Sequence, residues 1–522
     1  MSSAKEPVTR RFGNGLTVLI KEDKSHPVVS LQYWVGTGSM NEGHWQGSGL
    51  SHLLEHLVFK GTAHFSGQEL ARKVQERGGH WNAYTSVNRT VYYIDGPAES
   101  WQIFLNLLTE LVFFPTFPED EMEREKEVVR REMAMYADDP DSVAYQLLMQ
   151  TLYLKHPCRW PVLGERAAFD CLTRQDVLDY HASRYVPNNV VLSIAGDVDA
   201  AEILSHLELL VEDLKSRPLN REPIPHEPHQ FGSRRVRKEF AVPYSKLHLA
   251  WRLPCSAHPD TPALSALSSI LGGGRSARFY EKFHDRLGLV YSIEVHSNQS
   301  ETDEGAFTIS MDVDRAQRDK VRDLVLQELR NLAEEDFTED LKRVCKQTRV
   351  SRLRRRSSAS GVASEMGADW FGSRNLNLSS EWQEAIERVT TEDLHRVCST
   401  WLSSPNVTEV SLDPPGSNAG DEERASASAG TALSEHVLGN GMKVVIREDH
   451  RLPLAYACMA FKAGCRAENE HDAGVTDLMS ECLLKGTSTR SAADIARFLE
   501  DIGGAINTST GNNSLSVGCQ VL

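Results

Sequence analysis

The sequence predicts an α+β fold of tandem homologous domains, each a mostly antiparallel sheet with helices packed on one face. Three observations carry this reading. Strand pairs interleave with helices instead of alternating singly with them, which favours antiparallel sheets with helices layered against them. Two connections rich in proline or in small polar residues, 216–233 and 413–432, divide the 522 residues into three stretches. The third stretch restates the first.

The elements follow in order. Apolar and polar residues alternate in "LTVLIKED" (16–23) and then in "VVSLQYWVG" (28–36), which reads as two strands. "SGLSHLLEHLVFKG" (48–61) reads as a short helix, with Ser48 or Ser51 as N-cap and Gly61 as its stop. "SGQELARKVQERGG" (66–79) reads as a second helix ended by Gly78 and Gly79. "HWNAYTSVNRTVYYIDG" (80–96) is β-branched and aromatic enough for a strand pair. "ESWQIFLNLLTELVF" (99–113) and the charged "PEDEMEREKEVVRREMAMY" (118–136) read as long helices, and "NVVLSIAGDVDAAEILSHLELLVEDL" (189–214) as strand then helix. The expected organisation is a first domain over 1–215, a linker over 216–233 and a second homologous domain over 234–412. A disordered linker over 413–432 and a partial third domain over 433–522 follow.

That third domain is a degenerate repeat of residues 8–97. "LGNGMKVVIRED" (438–449) restates "FGNGLTVLIKED" (12–23) at an offset of 426 (438 − 12). "GVTDLMSECLLKGT" (474–487) restates "GLSHLLEHLVFKGT" (49–62), and "GGAINTST" (503–510) restates "GGHWNAYT" (78–85), both at 425 (474 − 49). The copy keeps the helix frame but places Asp477, Ser480 and Glu481 where the first has His52, Glu55 and His56. Half a domain cannot bury a full core, so 434–522 is expected to be ordered poorly, or only by leaning on the rest.

Composition excludes some functions. A net charge of −16 argues against a nucleic-acid partner, and the basic run "RVSRLRRRS" (349–357) reads as a solvated helix face. Nine cysteines without a C-x-x-C pair fit reduced thiols. No run approaches a membrane span and no signal segment is seen, so a soluble, cytoplasmic protein without a membrane partner is expected.

Chemistry concentrates at "HLLEH" (52–56). Residues four apart on a helix share a face, with Cβ atoms about 5–6 Å apart, so His52 and His56 can point at one metal ion. Glu55 lies beside that face, placed for a general base without filling a ligand position. A catalytic zinc needs a third protein ligand. The helix at 118–136 offers Glu132, Glu125 and Glu121, and helix geometry does not rank them.

"SGLSHLLEHLVFKGT", then "GGHWNAYTSVNRTVYYID", then "EREKEVVRREM" together resemble the pitrilysin, insulysin and mitochondrial processing peptidase family, the inverzincins. The segments at 156–199 and 271–297 are similar to the run into the last strand of that family's first domain and to its second domain. The resemblance implies a zinc-dependent metalloendopeptidase with one Zn2+ per chain. His52, His56 and Glu132 would be its ligands, Glu55 its general base, and Glu125 a supporting carboxylate behind the ligands. It also implies that Asn82 and Ala83 lie on an edge strand that takes an extended peptide or unfolded polypeptide by strand addition. His64 and His80 match no ligand position and read as surface residues.

Family members work as clamshells, and this chain would supply the zinc half. The second half typically gives an arginine and a tyrosine seven apart that hold the substrate. Here "HDRLGLVY" offers Tyr291 as a substrate-binding residue, but His284 at the arginine position. The expectation is metal binding with impaired peptidase activity unless a second chain completes the clamshell, or a peptide-binding or assembly subunit without catalysis.

Overall fold

The computed structural model describes residues 6–219, 223–298, 305–402, 405–416, 434–446, 455–464, 466, 468–469, 471–501, 505–511 and 513–521. The chain divides into two compact units, Met1–Asp421 and Glu422–Leu522.

The first unit holds two sheets. Its opening half runs β1 (Val8–Arg11), β2 (Thr17–Glu22), β3 (Val28–Val35), α1 (Leu50–Val58), α2 (Gly67–Gln75), β4 (His80–Thr85) and β5 (Thr90–Pro97). It continues through α3 (Trp101–Phe113), α4 (Glu119–Asp138), α5 (Pro140–Leu152), α6 (Arg166–Asp170), α7 (Arg174–Arg184), β6 (Val190–Gly196) and α8 (Ala200–Leu210). The strand order is β1-β2-β6-β3-β5-β4, so β4 is an edge strand, paired antiparallel to β5 from His80↔Asp95 to Thr85↔Thr90. Val18, Ile20, Leu31, Tyr33, Tyr92 and Ile94 form one core with the buried faces of α1, α3 and α7.

The second half runs β7 (Arg234–Glu239), β8 (Ser245–Leu253), α9 (Thr261–Gly272), β9 (Val290–Asn298) and β10 (Gly305–Val313). α10 (Arg318–Asn331), α11 (Thr338–Arg355), α12 (Ala359–Ser373), α13 (Leu378–Glu387), α14 (Thr391–Val397) and β11 (Thr408–Asp413) complete it. The sheet order is β7-β11-β8-β10-β9.

The two halves exchange helices. Besides its own helices on one face, each sheet receives one helix from the other half on its second face. α12 lies on the first sheet, where Val362, Ala363 and Met366 pack on Leu19, Trp34, Val91 and Val191. The Gln32 amide donates to Ser360 O at 3.1 Å, and Ser193 Oγ donates to Ala363 O at 2.7 Å. Gly367 permits the contact: a Cβ there would come within 2.4 Å of Trp34 Nε1. Reciprocally, Leu148, Leu152 and the following Tyr153 pack from α5 onto Ala250, Ala306 and Val410 of the second sheet. This exchange explains why β3 and β6 are buried along both faces instead of alternating.

Three sequence expectations change in detail. α1 starts at Leu50 behind Gly49, not behind a serine cap, and ends at Val58, before Gly61. Asp413, expected to open the linker, is the buried last residue of β11 and pairs with the buried Arg318. The 216–233 connection is partly packed: Glu227 accepts the backbone N–H groups of Leu154, Lys155 and His156 at 2.7, 2.8 and 3.0 Å. The disordered linker expected over 413–432 lies outside the described residues from 417 onward.

The second unit contains β12 (Ser434–Val437), β13 (Lys443–Ile446), β14 (Ala455–Phe461), α15 (Val475–Leu483), α16 (Ala492–Asp501), β15 (Ala505–Thr510) and β16 (Leu515–Val521). This is the element order of β1 to β5 with α1 and α2. β14, β16 and β15 form a three-stranded antiparallel sheet, and β12 and β13 a hairpin. Poor order expected of 447–454 and 502–504 concerns residues outside the description. In the described part, Tyr456, Met459 and Phe461 of β14 are exposed, whereas Tyr33 and Val35 of β3 are fully buried. Among the described residues no helix is long and apolar enough to cross a membrane.

Candidate metal centre

The site is built on α1. Leu50, Leu53, Leu54, Leu57 and Val58 bury one face in the core and leave His52, Glu55 and His56 on the other, toward α4 and β4. The helix start is shaped by Gly49, whose φ of +72° suits glycine and where a Cβ would lie 2.1 Å from Leu163 O. No side chain of the N-cap residue itself closes the first turn. Glu42, fully buried, accepts the Ser51 backbone N–H at 2.8 Å instead. Burial pushes the Glu42 carboxyl up to about 8, against the pull of the N–H groups of Ser51, Gly49 and Gly47.

α4 brings its carboxylates across from α1. Glu132 Oε2 lies 3.8 Å from His52 Nε2 and 3.9 Å from His56 Nε2, and the three donor atoms all lie within 4.8 Å of one another. An ion with bonds of about 2.1 Å can bridge donors up to about 4.2 Å apart, so both carboxylate–imidazole pairs are within reach of one zinc. The donor chemistry also fits. Burial, and then the neighbouring His56, holds His52 down at about 3, so its imidazole is neutral and has a lone pair to give at neutral pH. Glu132 is 28% exposed, which leaves an open side for water or substrate.

Glu125, two turns before Glu132, does something different. Its Oε2 takes His56 Nδ1 at 3.1 Å and its Oε1 takes Lys60 Nζ at 2.6 Å. Burial alone would lower His56, but the bond to Glu125 and the charges of Glu55, Glu125 and Glu132 raise it. Burial likewise works to raise Glu125, and the bonds from His56 and Lys60 outweigh it and hold Glu125 low. Glu121, the third sequence alternative, pairs with Arg124 on its own helix.

Glu55 is half-buried beside the ligand face, and burial raises its pKa. Its Oε2 accepts a hydrogen bond of 2.5 Å from Thr85 Oγ1, at the end of β4. Asn82 and Ala83 lie three and two residues earlier on that edge strand. The Asn82 side chain is exposed, and its Oδ1 accepts the Ala83 N–H at 2.8 Å.

Other sequence candidates lie apart from this cluster. Tyr291 sits on β9, the edge strand of the second sheet, where it contacts Tyr244 (ring centroids 5.3 Å) and Asp314 (3.5 Å). His284 stacks on Tyr280 and pairs with Asp285 at 2.7 Å. His64 is exposed and bonds Glu110, and His80 is exposed on β4. The run at 349–357 is only partly a solvated face, because Arg352 and Arg356 both pair with Glu365 of α12. Sequence reasoning missed Glu42, Lys60 and Thr85. The repeat held a signal for all three, because its second copy keeps Glu468, Lys485 and Thr510 at the matching positions.

The model of the insulinase family, peptidase family M16, matches residues 17–166 and again 443–522, and the model of the peptidase M16 inactive domain matches 172–347. An uncharacterized zinc protease of Rickettsia felis is 27% identical over 76% of this chain and 94% of its own length. One of Mycobacterium tuberculosis is 30% identical over 56% of this chain and 67% of its own. A crystal structure of a protease from Helicobacter pylori superposes with a TM-score of 0.72 at 26% identity, covering 78% of this chain and all of that one. A peptidase M16 inactive domain structure from Pseudomonas fluorescens also reaches 0.72, at 21% identity, and so speaks for the fold alone. With two stretches matching the insulinase model, a third matching its inactive-domain partner, and relatives named zinc proteases, the chain belongs to peptidase family M16, the pitrilysin or insulinase family.

Proposed function

We propose that this chain is a zinc-dependent endopeptidase that cleaves extended peptides or unfolded polypeptides. One observation carries the proposal: two imidazoles and a carboxylate converge within 4.8 Å, with the separate Glu55 carboxylate beside them. His52, His56 and Glu132 would hold one Zn2+ per chain, and Glu125 would orient His56 through Nδ1, as outer carboxylates do for metal-binding histidines. Bound there, zinc supplies a Lewis acid that polarises water and the scissile carbonyl. Glu55 takes the proton of the attacking water and returns it to the leaving amine. Burial raises its pKa, the direction that strengthens a carboxylate as a base. The edge strand β4 receives the substrate by strand addition, with Asn82 and Ala83 presenting backbone groups and the Asn82 amide.

Tyr291 enters this reading as a substrate-binding residue through the family resemblance, and a second chain closing over the site belongs to the same proposal. Both are testable, through a Tyr291→Phe change in KM and through activity that rises with protein concentration. The decisive experiment is turnover of an internally quenched peptide by wild type and Glu55→Gln, with zinc content measured on both. Turnover that falls by about 10²–10⁴-fold with zinc retained supports the role of Glu55. Equal turnover refutes it. Zinc bound by a wild type that does not cleave leaves peptide binding as the function.

A further inference from the structure

We propose that Thr85 is a positioning residue for Glu55, tying the edge strand that takes substrate to the general base. The inference rests on the endopeptidase reading above. Along β4 the side chains alternate. His80, Asn82 and Tyr84 are exposed, whereas Trp81, Ala83 and Thr85 turn toward α1, with the Trp81 ring edge-on to Phe59 at 4.9 Å. Thr85 ends the strand, paired with Thr90 across the sheet. Its hydroxyl donates to Glu55 Oε2 at 2.5 Å, and its backbone N–H also lies toward that carboxylate.

The physical need for such a partner lies in glutamate itself. Its terminal torsion has no sharp rotamer well, so an unheld carboxylate turns broadly. A base that must meet a proton at hydrogen-bond distance loses rate when it wanders. Threonine suits the task because its branched Cβ leaves χ1 few choices. The hydroxyl stands on the strand whose backbone docks the peptide, so the base is held in register with the bond to be cut.

The second copy shows the tie between strand and helix without the catalytic residue. There Thr510 Oγ1 donates to Asp477 at 2.8 Å, the residue at the His52 position. The threonine is kept in both copies, but only in the first does its helix offer it a catalytic carboxylate.

The test compares Thr85→Val, which keeps the shape and removes the hydroxyl, with Thr85→Ser, which restores it. Each is measured for kcat, KM, zinc per chain and Tm. We expect Thr85→Val to lower kcat about tenfold or more with KM within about twofold, and Thr85→Ser to recover to within about threefold. Zinc content and Tm should stay at wild-type values. A Thr85→Val kcat within about twofold of wild type overturns the proposal and leaves the endopeptidase reading standing. A loss that serine does not restore, or one that comes with lost zinc or a lowered Tm, marks a structural tie and also overturns it. A wild type without turnover overturns the endopeptidase reading and this inference together.

Discussion

Helices α1 and α15 occupy the same place in two copies of one motif, and they differ in what surrounds them. Both start behind a left-handed glycine, Gly49 or Gly474. Both are capped by a distant glutamate: Glu42 takes the Ser51 N–H at 2.8 Å, and Glu468 takes the Thr476 N–H at 2.8 Å. Both receive a hydrogen bond from the threonine that ends the neighbouring strand. Yet α1 buries Leu53 fully while its counterpart Leu478 is 64% exposed, and α1 carries His52, Glu55 and His56 where α15 has Asp477, Ser480 and Glu481. The glycine and the glutamate that start the helix are thus independent of both its chemistry and its burial. One helix frame carries His52, Glu55 and His56 in the first copy and Asp477, Ser480 and Glu481 in the second.

The largest contrast should be in stability. Leu53→Ala empties a fully buried position and is expected to cost about 2–5 kcal/mol. Leu478→Ala at the matching, exposed position should stay within about 0.5 kcal/mol. Urea unfolding followed separately for each unit checks this, and equal costs would show that α15 is packed as α1 is.

Next comes the support behind the ligands. Glu125→Gln or Lys60→Met should weaken zinc affinity about 10–100-fold, as loss of an outer partner does, whereas Lys485→Met should leave it unchanged. Competition with a chromogenic chelator reads all three.

A further contrast concerns Glu42 and pH. Its carboxyl sits at about 8 in the folded chain against an ordinary 4.5. Below about 4.5 both states hold the proton and this contribution is fully present. As pH climbs toward about 8 the unfolded chain releases the proton first, so stability drains away, and the loss is complete above that. Glu42→Gln keeps an acceptor for Ser51 but cannot ionise. Its Tm relative to wild type should therefore rise between pH 5 and 8, and comparing the two proteins at each pH cancels the pH dependence of the metal. Parallel Tm curves would contradict this.

Much of the site was legible because it is local. The spacing of His52 and His56 and the position of Glu55 are properties of one helix, and the strand pair at 80–96 follows from composition. What was not legible is tertiary. Glu125 and Glu132 share a face of α4, so helix geometry alone could not say which faces the Nε2 atoms and which faces Nδ1. The family resemblance separated them. Thr85, Lys60 and Glu42 act across folds of the chain, and only their retention as Thr510, Lys485 and Glu468 marked them. That β3 is buried on both faces was unreadable for a similar reason, because its second cover, α12, comes from more than 300 residues away. The serine caps proposed for α1 failed because a buried glutamate eight residues upstream of the helix does that work.

The most direct test of the difference between the copies is zinc per chain, measured by plasma mass spectrometry on purified wild type and Glu132→Gln after dialysis against trace metal. One metal site in the first copy and none in the second predicts one zinc in wild type and close to none in the variant, because Glu132 is the proposed third ligand. Zinc that stays at one per chain in Glu132→Gln, or reaches two in wild type, would contradict it.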